Sequence, residues 1–364
     1  MNEIRILPLD SSHNERMISI MKASPVNANG LVLSFEKSPS VFAVSEMKYH
    51  DCRHLGFFCE GILKGFASMG YFDAYLKGVK ETFFMFYNFY LLPEIRGMRL
   101  PEKAMKLFFS DTAEKAAMGL AVTLKGNRQA ESFIGRQGYE WMPPSRIFSD
   151  WIVKSILFSI PVKNKTGYFV RNAGNEDIPD MVRLLDHEHR QRDFGYPFRE
   201  EDFMKNLDER GLQIEDYYLA LNRKGKIQGV CLAWDCSAFK RTMILKYPPA
   251  YYPVLLAYKA LSALLPMAPF PKEGESFREL TLTDYAASDR DVRVMHALLS
   301  EIYRRHHNRK FHFMNFGSCT GDPLLKATKG FWCRDTVSHI VFSAFDPDKF
   351  RILPNLPYID IAFL

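Results

Sequence analysis

Short apolar runs punctuated by glycine and proline alternate along the chain with stretches in which apolar side chains return every three or four residues, a rhythm of strands mixed with helices. Ile4–Leu9 reads as a strand, and Ser11 and Ser12 are candidate caps for a helix over Glu15–Lys22. From Arg53 to Phe72 two apolar runs flank Glu60-Gly61-Ile62-Leu63-Lys64-Gly65, a hairpin signature, and a long aromatic strand, Thr82–Leu92, follows. The stretch from Pro93 to Gly97 ends that strand, and Pro101 suits the start of a helix reaching the neighbourhood of Met118. Ala121–Leu124 is expected as a short buried strand, Asn127–Gln137 as a helix stopped by Gly138, and Tyr139 as the return to strand.

The second half repeats this plan. Tyr168-Phe169-Val170-Arg171 opens it, and Asn175-Glu176-Asp177-Ile178-Pro179 combines a cap, early acids and an early proline ahead of a helix through Met181, Leu184 and Leu185. Arg5 matches Arg171, the hairpin at Asn222–Gly229 matches the one at Gly61–Gly65, and Gly330-Phe331 matches Gly138-Tyr139. The wider spacing of the last pair implies an insertion of roughly 27 residues, which proline-rich Pro248–Pro271 supplies with an apolar helix over Tyr251–Leu265. The fold expected is α+β, three layers α/β/α in each of two tandem domains, 1–162 and 168–364, joined by the polar linker 163–167 and carrying the insertion at 248–271. Each domain has a mixed, mostly antiparallel sheet.

A chain of 364 residues, 47% apolar and 25% charged, has room for two cores and lies far from disordered compositions. Its net charge of +6 is spread among acids, so nucleic acid is not the expected partner. No apolar run is long enough for a membrane helix and the start lacks a signal-peptide layout, so a cytoplasmic protein with no membrane partner is expected. Six cysteines at irregular separations give no zinc pattern and are expected to be reduced and mostly buried.

One segment carries chemistry. A strand leading into an arginine-glycine turn and then a helix offers successive backbone N–H groups, with the helix dipole behind them, to a pyrophosphate. Leu91-Leu92-Pro93-Glu94-Ile95-Arg96-Gly97-Met98-Arg99-Leu100-Pro101 has this form and resembles motif A of the GNAT acyltransferases, with Arg96 at the motif's first basic position and Arg99 and Pro101 in place of two later small residues. Asn127-Arg128-Gln129-Ala130-Glu131-Ser132-Phe133-Ile134-Gly135-Arg136-Gln137-Gly138-Tyr139 resembles a later helix of that family, with Ile134 where many members carry a tyrosine that protonates the leaving thiolate. The resemblance implies acetyl-CoA or another acyl-CoA as co-substrate, held by Leu91, Leu92, Arg96, Gly97, Met98, Arg99, Leu100 and Asn127. The acyl carbonyl would lie where the central strand splays apart near Leu91 and Leu92, and an amine of a small molecule or peptide would attack it directly. Asn127 also suits a helix cap. In the second half Ser288-Asp289-Arg290-Asp291-Val292-Arg293 falls opposite the Arg96 turn, and its two acids oppose a pyrophosphate.

No catalytic residue is assigned: Thr82–Pro93 contains no acid, and Glu81 and Tyr87 read as structural. His187 and His189 point to different helix faces, His306-His307 ends a charged and exposed helix, and Cys319 lacks an activating partner. No metal site is expected. Two other functions compete with acyl transfer: a binding protein that kept the fold without the chemistry, and an aminoacyl-tRNA-dependent transferase, against which the absence of a basic, aromatic-rich surface weighs.

Overall fold

The computed structural model describes residues 3–28, 30–110, 112–134, 139–160 and 162–364. The first half runs β1 (Ile4–Pro8), α1 (Asn14–Lys22), β2 (Val26–Ala28), β3 (Leu31–Glu36), α2 (Val41–Glu46), β4 (Asp51–Cys59), β5 (Ile62–Leu76), β6 (Val79–Leu91), α3 (Leu100–Phe108), α4 (Thr112–Lys115), β7 (Met118–Leu124), α5 (Arg128–Ile134) and β8 (Ser145–Leu157). The second runs β9 (Phe169–Asn172), α6 (Ile178–Arg190), α7 (Glu200–Arg210), β10 (Tyr217–Leu221), β11 (Ile227–Asp235), β12 (Arg241–Lys246), α8 (Tyr252–Leu264), β13 (Glu279–Ala287), α9 (Val292–His306), β14 (Phe313–Cys319), β15 (Cys333–Ala344) and α10 (Pro347–Phe350).

Among the described residues, twelve strands form one sheet in the order β1-β4-β5-β6-β7-β15-β8-β14-β13-β11-β10-β9. Reading inward from either edge gives the same series, so β1, β4, β5, β6 and β7 correspond to β9, β10, β11, β13 and β14. The halves exchange their last strands. β15 of the second half pairs with β7 of the first from Ser338↔Leu124 to Ala344↔Met118, and β8 of the first pairs with β14 of the second from Phe313↔Leu157 to Cys319↔Trp151. The expectation of two independent sheets meeting at 163–167 is corrected by this exchange. Hydrophobic periodicity marks β8 and β15 as strands but does not say whose edge they complete.

The two faces of the first-half sheet differ. Phe57, Ala67, Met69, Tyr71 and Phe84 pack on α3, through Leu100, Ala104, Met105 and Phe108. On the other face Leu63 and Phe66 pack on α1, through Met17, Ile20 and Met21. A second sheet, β12-β3-β2, ties the halves together through antiparallel pairing of β12 and β3, from Arg241↔Glu36 to Lys246↔Val32.

Several local expectations change. Met118 belongs to β7 and not to the preceding helix, and Tyr139 lies outside any strand. Consecutive Pro143 and Pro144, which lack N–H donors, delay β8 to Ser145. The expected stop at Gly138 and the preceding Gln137 lie outside the described residues. Within the insertion α8 forms as expected, with Tyr252, Val254, Leu256 and Leu264 exposed. Among the described residues no helix is long and apolar enough to cross a membrane. Cys231, Cys236 and Cys319 are buried, Cys52, Cys59 and Cys333 partly so, and all six are free thiols.

Candidate functional site

β6 is the strand on which the site is built. It pairs in parallel with β7 from Phe83↔Met118 only as far as Phe86↔Ala121, after which β7 follows β15 and β6 follows β5. The two strands part at this point, a few residues before the expected Leu91 and Leu92. The cause is a bulge: Phe66 faces Tyr90 and Ser68 faces Tyr87, so Asn88 and Phe89 together oppose Ala67, and Asn88 takes a left-handed φ of 53°. Residues 86–91 are all partly exposed, although they belong to an interior strand.

At the end of β6 the turn is held from below by Ile95, 1% exposed, and by hydrogen bonds from Leu92 N to Lys64 O (2.9 Å) and from Arg96 N to Pro93 O (3.2 Å). Leu91 ends the strand and its carbonyl accepts from Arg96 Nε at 3.1 Å. Gly97 has a φ of 80° and nothing within 4 Å of the position a Cβ would take, so its backbone faces open space. Met98 is partly exposed, and Leu100, fully buried, anchors the first turn of α3. None of the N–H groups of Gly97, Met98 and Arg99 has an acceptor among the described residues. Arg99 adopts φ 54°, where motif A has a small residue, and donates from Nη2 to Tyr139 Oη at 2.6 Å. That hydrogen bond joins the two segments that carry the family resemblance. Asn127 is exposed and caps α5, its Oδ1 accepting from Ala130 N at 3.3 Å.

The second half repeats the bulge and fills it. β13 pairs with β14 only from Glu279↔Phe313 to Leu282↔Phe316, Asp284 and Tyr285 oppose Cys231, and Asp284 has a φ of 44°. There Tyr358, 1% exposed, brings its Oη to the Asp284 N–H (3.1 Å) and to Thr283 Oγ1 (3.0 Å). The turn after β13 is also taken: Asp289 N donates to the carboxylate of Glu188 at 3.3 Å, and Arg290 Nη2 donates to Gln191 O at 3.1 Å. Glu188 is 3% exposed, and burial raises its carboxyl above the usual range. Asp291 caps α9 through Arg293 N and pairs with the Arg293 guanidinium at 2.7 Å. A carboxylate of the chain thus lies on the turn after β13.

Reading the sequence missed the residues facing the β6 bulge. Lys37, just after β3, donates from Nζ to Asn88 Oδ1 at 3.0 Å, and His54 shares a 2.7 Å hydrogen bond with Ser68 through Nδ1. Tyr49 stacks on Tyr87 with ring centroids 4.7 Å apart, a fit that requires Gly70, where a Cβ would lie 2.4 Å from the Tyr49 ring. Burial pushes the Lys37 amine down to about 7 and, helped by the Lys37 charge, His54 down to about 4. The available signal was Asn88, a lone amide among six aromatic residues.

The other candidates have partners within the fold. Glu81 pairs with Lys349 at 2.6 Å, and His189, fully buried, accepts from Tyr196 N at 3.1 Å. His306, expected to be exposed, is partly buried against Phe311 and bonded to Tyr218 Oη at 3.0 Å. Burial pushes the Cys319 thiol up to about 12. A shallow depression lined by Tyr75, Asp186, Arg190 and Phe198 lies elsewhere, its polar groups already joined by the Tyr75–Asp186 (2.6 Å) and Arg190–Asp186 (3.2 Å) contacts.

No family profile and no curated protein matches the sequence. Solved structures do resemble the fold. N-myristoyltransferase of Saccharomyces cerevisiae, solved with bound myristoyl-CoA and inhibitors, is similar at a TM-score of 0.63 and 13% identity, over 100% of this chain and 84% of that one. A probable N-acyltransferase of Enterococcus faecalis is similar at 0.52 and 11% identity, over 94% and 73%. A GCN5-related N-acetyltransferase of Sphaerobacter thermophilus is similar at 0.50 and 13% identity, over 85% and 82%. At these identities the likeness speaks to fold, and the chain has a two-domain GNAT-like α+β fold.

Proposed function

We propose that the chain is an acyl-CoA-dependent N-acyltransferase whose first half binds the co-substrate, with Arg96, Arg99 and the N–H groups of Gly97–Leu100 toward the pyrophosphate. Leu91 and Leu92 would flank the pantetheine arm, and the acyl carbonyl would lie at the Asn88 bulge. The observation that carries this reading is the contrast between two equivalent bulge-and-turn units, one open and one filled by Tyr358 and Glu188. Solved relatives of the fold that hold myristoyl-CoA support an acyl thioester as the ligand.

In the reaction the amine nitrogen bonds to the thioester carbonyl carbon and the C–S bond breaks. The proton lost by the amine balances the one gained by the coenzyme A thiolate. The acceptor must arrive or become neutral before it attacks, since an alkylammonium has no free electron pair. Solvent water is a sufficient proton carrier for this step, and no side chain of this chain is assigned it. Release of free thiol from acetyl-, octanoyl- and longer acyl-CoAs, followed with and without amines, tests the proposal. Amine-dependent thiol release supports it, and acyl-CoA binding with no turnover across a broad amine panel supports a binding protein in its place.

A further inference from the structure

The two bulges differ in how their charge is closed. In the second half Arg210 Nη1 lies 2.9 Å from Asp284 Oδ2, and Tyr217 Oη donates to the same oxygen at 2.8 Å, so a cation of the chain meets an anion of the chain. In the first half the corresponding contact is Lys37 to Asn88, and an amide brings no charge to oppose the ammonium. Lys48 enters the same crevice, its Nζ 3.3 Å from Met85 Sδ and 5.3, 5.6 and 5.9 Å from the ring centroids of Tyr49, Phe72 and Phe363. A third lysine, Lys240, donates to the carbonyl of Ile361 at 2.9 Å. Among the described residues none of the three has a carboxylate oxygen within 4.0 Å. The acid that acts on Lys48 is Asp360, and burial together with Asp284 drives the Asp360 carboxyl toward its neutral form.

Glu279 and Asp360 also act on Lys240, and burial raises both carboxyls, so three amines converge beside acids that are themselves pushed toward neutrality. Charging such a cluster is costly unless a counter-ion arrives. Asn88 Nδ2, Tyr49 Oη and His54 Nε2 are buried there without a hydrogen-bond partner. Buried polar atoms are seldom left unpaired, so this cluster marks a polar space. Lys48, Lys240 and residues 87–91 are partly exposed, which gives the space an entrance.

We propose that this crevice binds the carboxylate of the acceptor, in the role that Asp284 plays in the second half, and that the acceptor is an amino acid or a peptide-like amine carrying a free carboxylate. The anion site stands on the charge geometry; that its occupant is the acceptor rests on the acyl-transfer reading above. A plain alkylamine, cationic at neutral pH, would be repelled by Lys37 and Lys48, whereas a zwitterion brings the missing charge.

Calorimetric titration of the full chain with N-acetyl amino acids from each side-chain class, each against its primary amide, isolates the carboxylate. At least one acid is expected to bind about tenfold to a hundredfold tighter than its amide, the worth of one charge-assisted hydrogen bond. Lys37→Met and Lys48→Met should each remove most of that preference while Lys37→Arg keeps it, and the wild-type comparison stands even if a variant fails to fold. Equal affinities, no binding of any acid, or tighter binding of N-acetyl-O-phosphoethanolamine than of every acid overturns the inference. Acyl-CoA titrated separately distinguishes the two proposals. Acyl-CoA binding without acid preference removes only the anion site, and acid preference without acyl-CoA binding removes only the acyl-transfer reading.

Discussion

The β6 bulge at Asn88 and the β13 bulge at Asp284 occupy equivalent places in one sheet, yet the fold has closed only the second. Tyr358 sits on the Asp284 amide, Arg210 on its carboxylate, and Glu188 on the turn that follows. In the first half the same backbone geometry meets Lys37, an amide and a turn whose Gly97, Met98 and Arg99 N–H groups have no acceptor among the described residues. A duplicated unit need not keep a duplicated ligand site: where side chains of the chain satisfy the bulge and the turn, the unit becomes structural.

Breaking the closed site should have the largest effect. Asp284→Ala leaves Arg210, 17% exposed, without its carboxylate partner, and the loss in unfolding free energy should be about 3 to 5 kcal/mol by urea denaturation, the scale of a broken buried pair. A loss under about 1 kcal/mol would mean that water already serves Arg210.

Next in size is charge reversal at the open turn. Arg96→Glu should weaken coenzyme A binding by about 1.5 to 3 kcal/mol, while Asp289→Ala in the second half leaves it nearly unchanged. The reverse pattern in folded variants would move the site to the other half.

The open crevice also predicts a pH response. The Lys37 amine is held at about 7 in the fold, against an ordinary value of 10.5, so between those values the unfolded chain binds the extra proton. Stability of the unliganded protein should therefore rise with pH across this window, with the burial cost fully present below about 7 and relieved toward 10.5. Lys48, held at about 8, adds to the same slope. Lys37→Met should flatten the slope by on the order of 1 to 2 kcal/mol over the window, read by thermal denaturation at several pH values. An unchanged slope would show that water solvates the amine in the fold as well as outside it.

The smallest effect concerns Asn127. As the cap of α5 it should contribute about 0.5 to 1 kcal/mol to stability, lost in Asn127→Ala. A larger drop in acyl-CoA affinity than in stability would add a contact with the pantetheine arm to its capping role.

The sequence made visible what local chemistry dictates. The Gly61 hairpin, the aromatic strand, the Arg96 turn and the apolar helix α8 all follow from turn residues and periodicity. Strand partners did not, because an apolar run such as 145–157 is compatible with either neighbouring edge. β3 escaped notice since its pairing partner β12 lies about two hundred residues away in the chain, a separation that local pattern does not encode. Lys37 and Lys48 look like ordinary surface lysines in one dimension, and only the fold sets Lys37 against Tyr87 and Asn88 and Lys48 against Tyr49, Phe72 and Phe363. Asn88 carried a usable signal, a polar residue interrupting Phe86-Tyr87 and Phe89-Tyr90, but its left-handed φ required the fold to be seen.

If one of the two equivalent units holds an acyl-CoA and the other is filled by the chain itself, each chain offers a single co-substrate site. Calorimetric stoichiometry with a hydrolysis-resistant acyl-CoA analogue counts the sites. One molecule is expected to bind per chain, lost on Arg96→Glu and retained on Asp289→Ala. Two molecules per chain, or none, or a single site indifferent to Arg96 would contradict it.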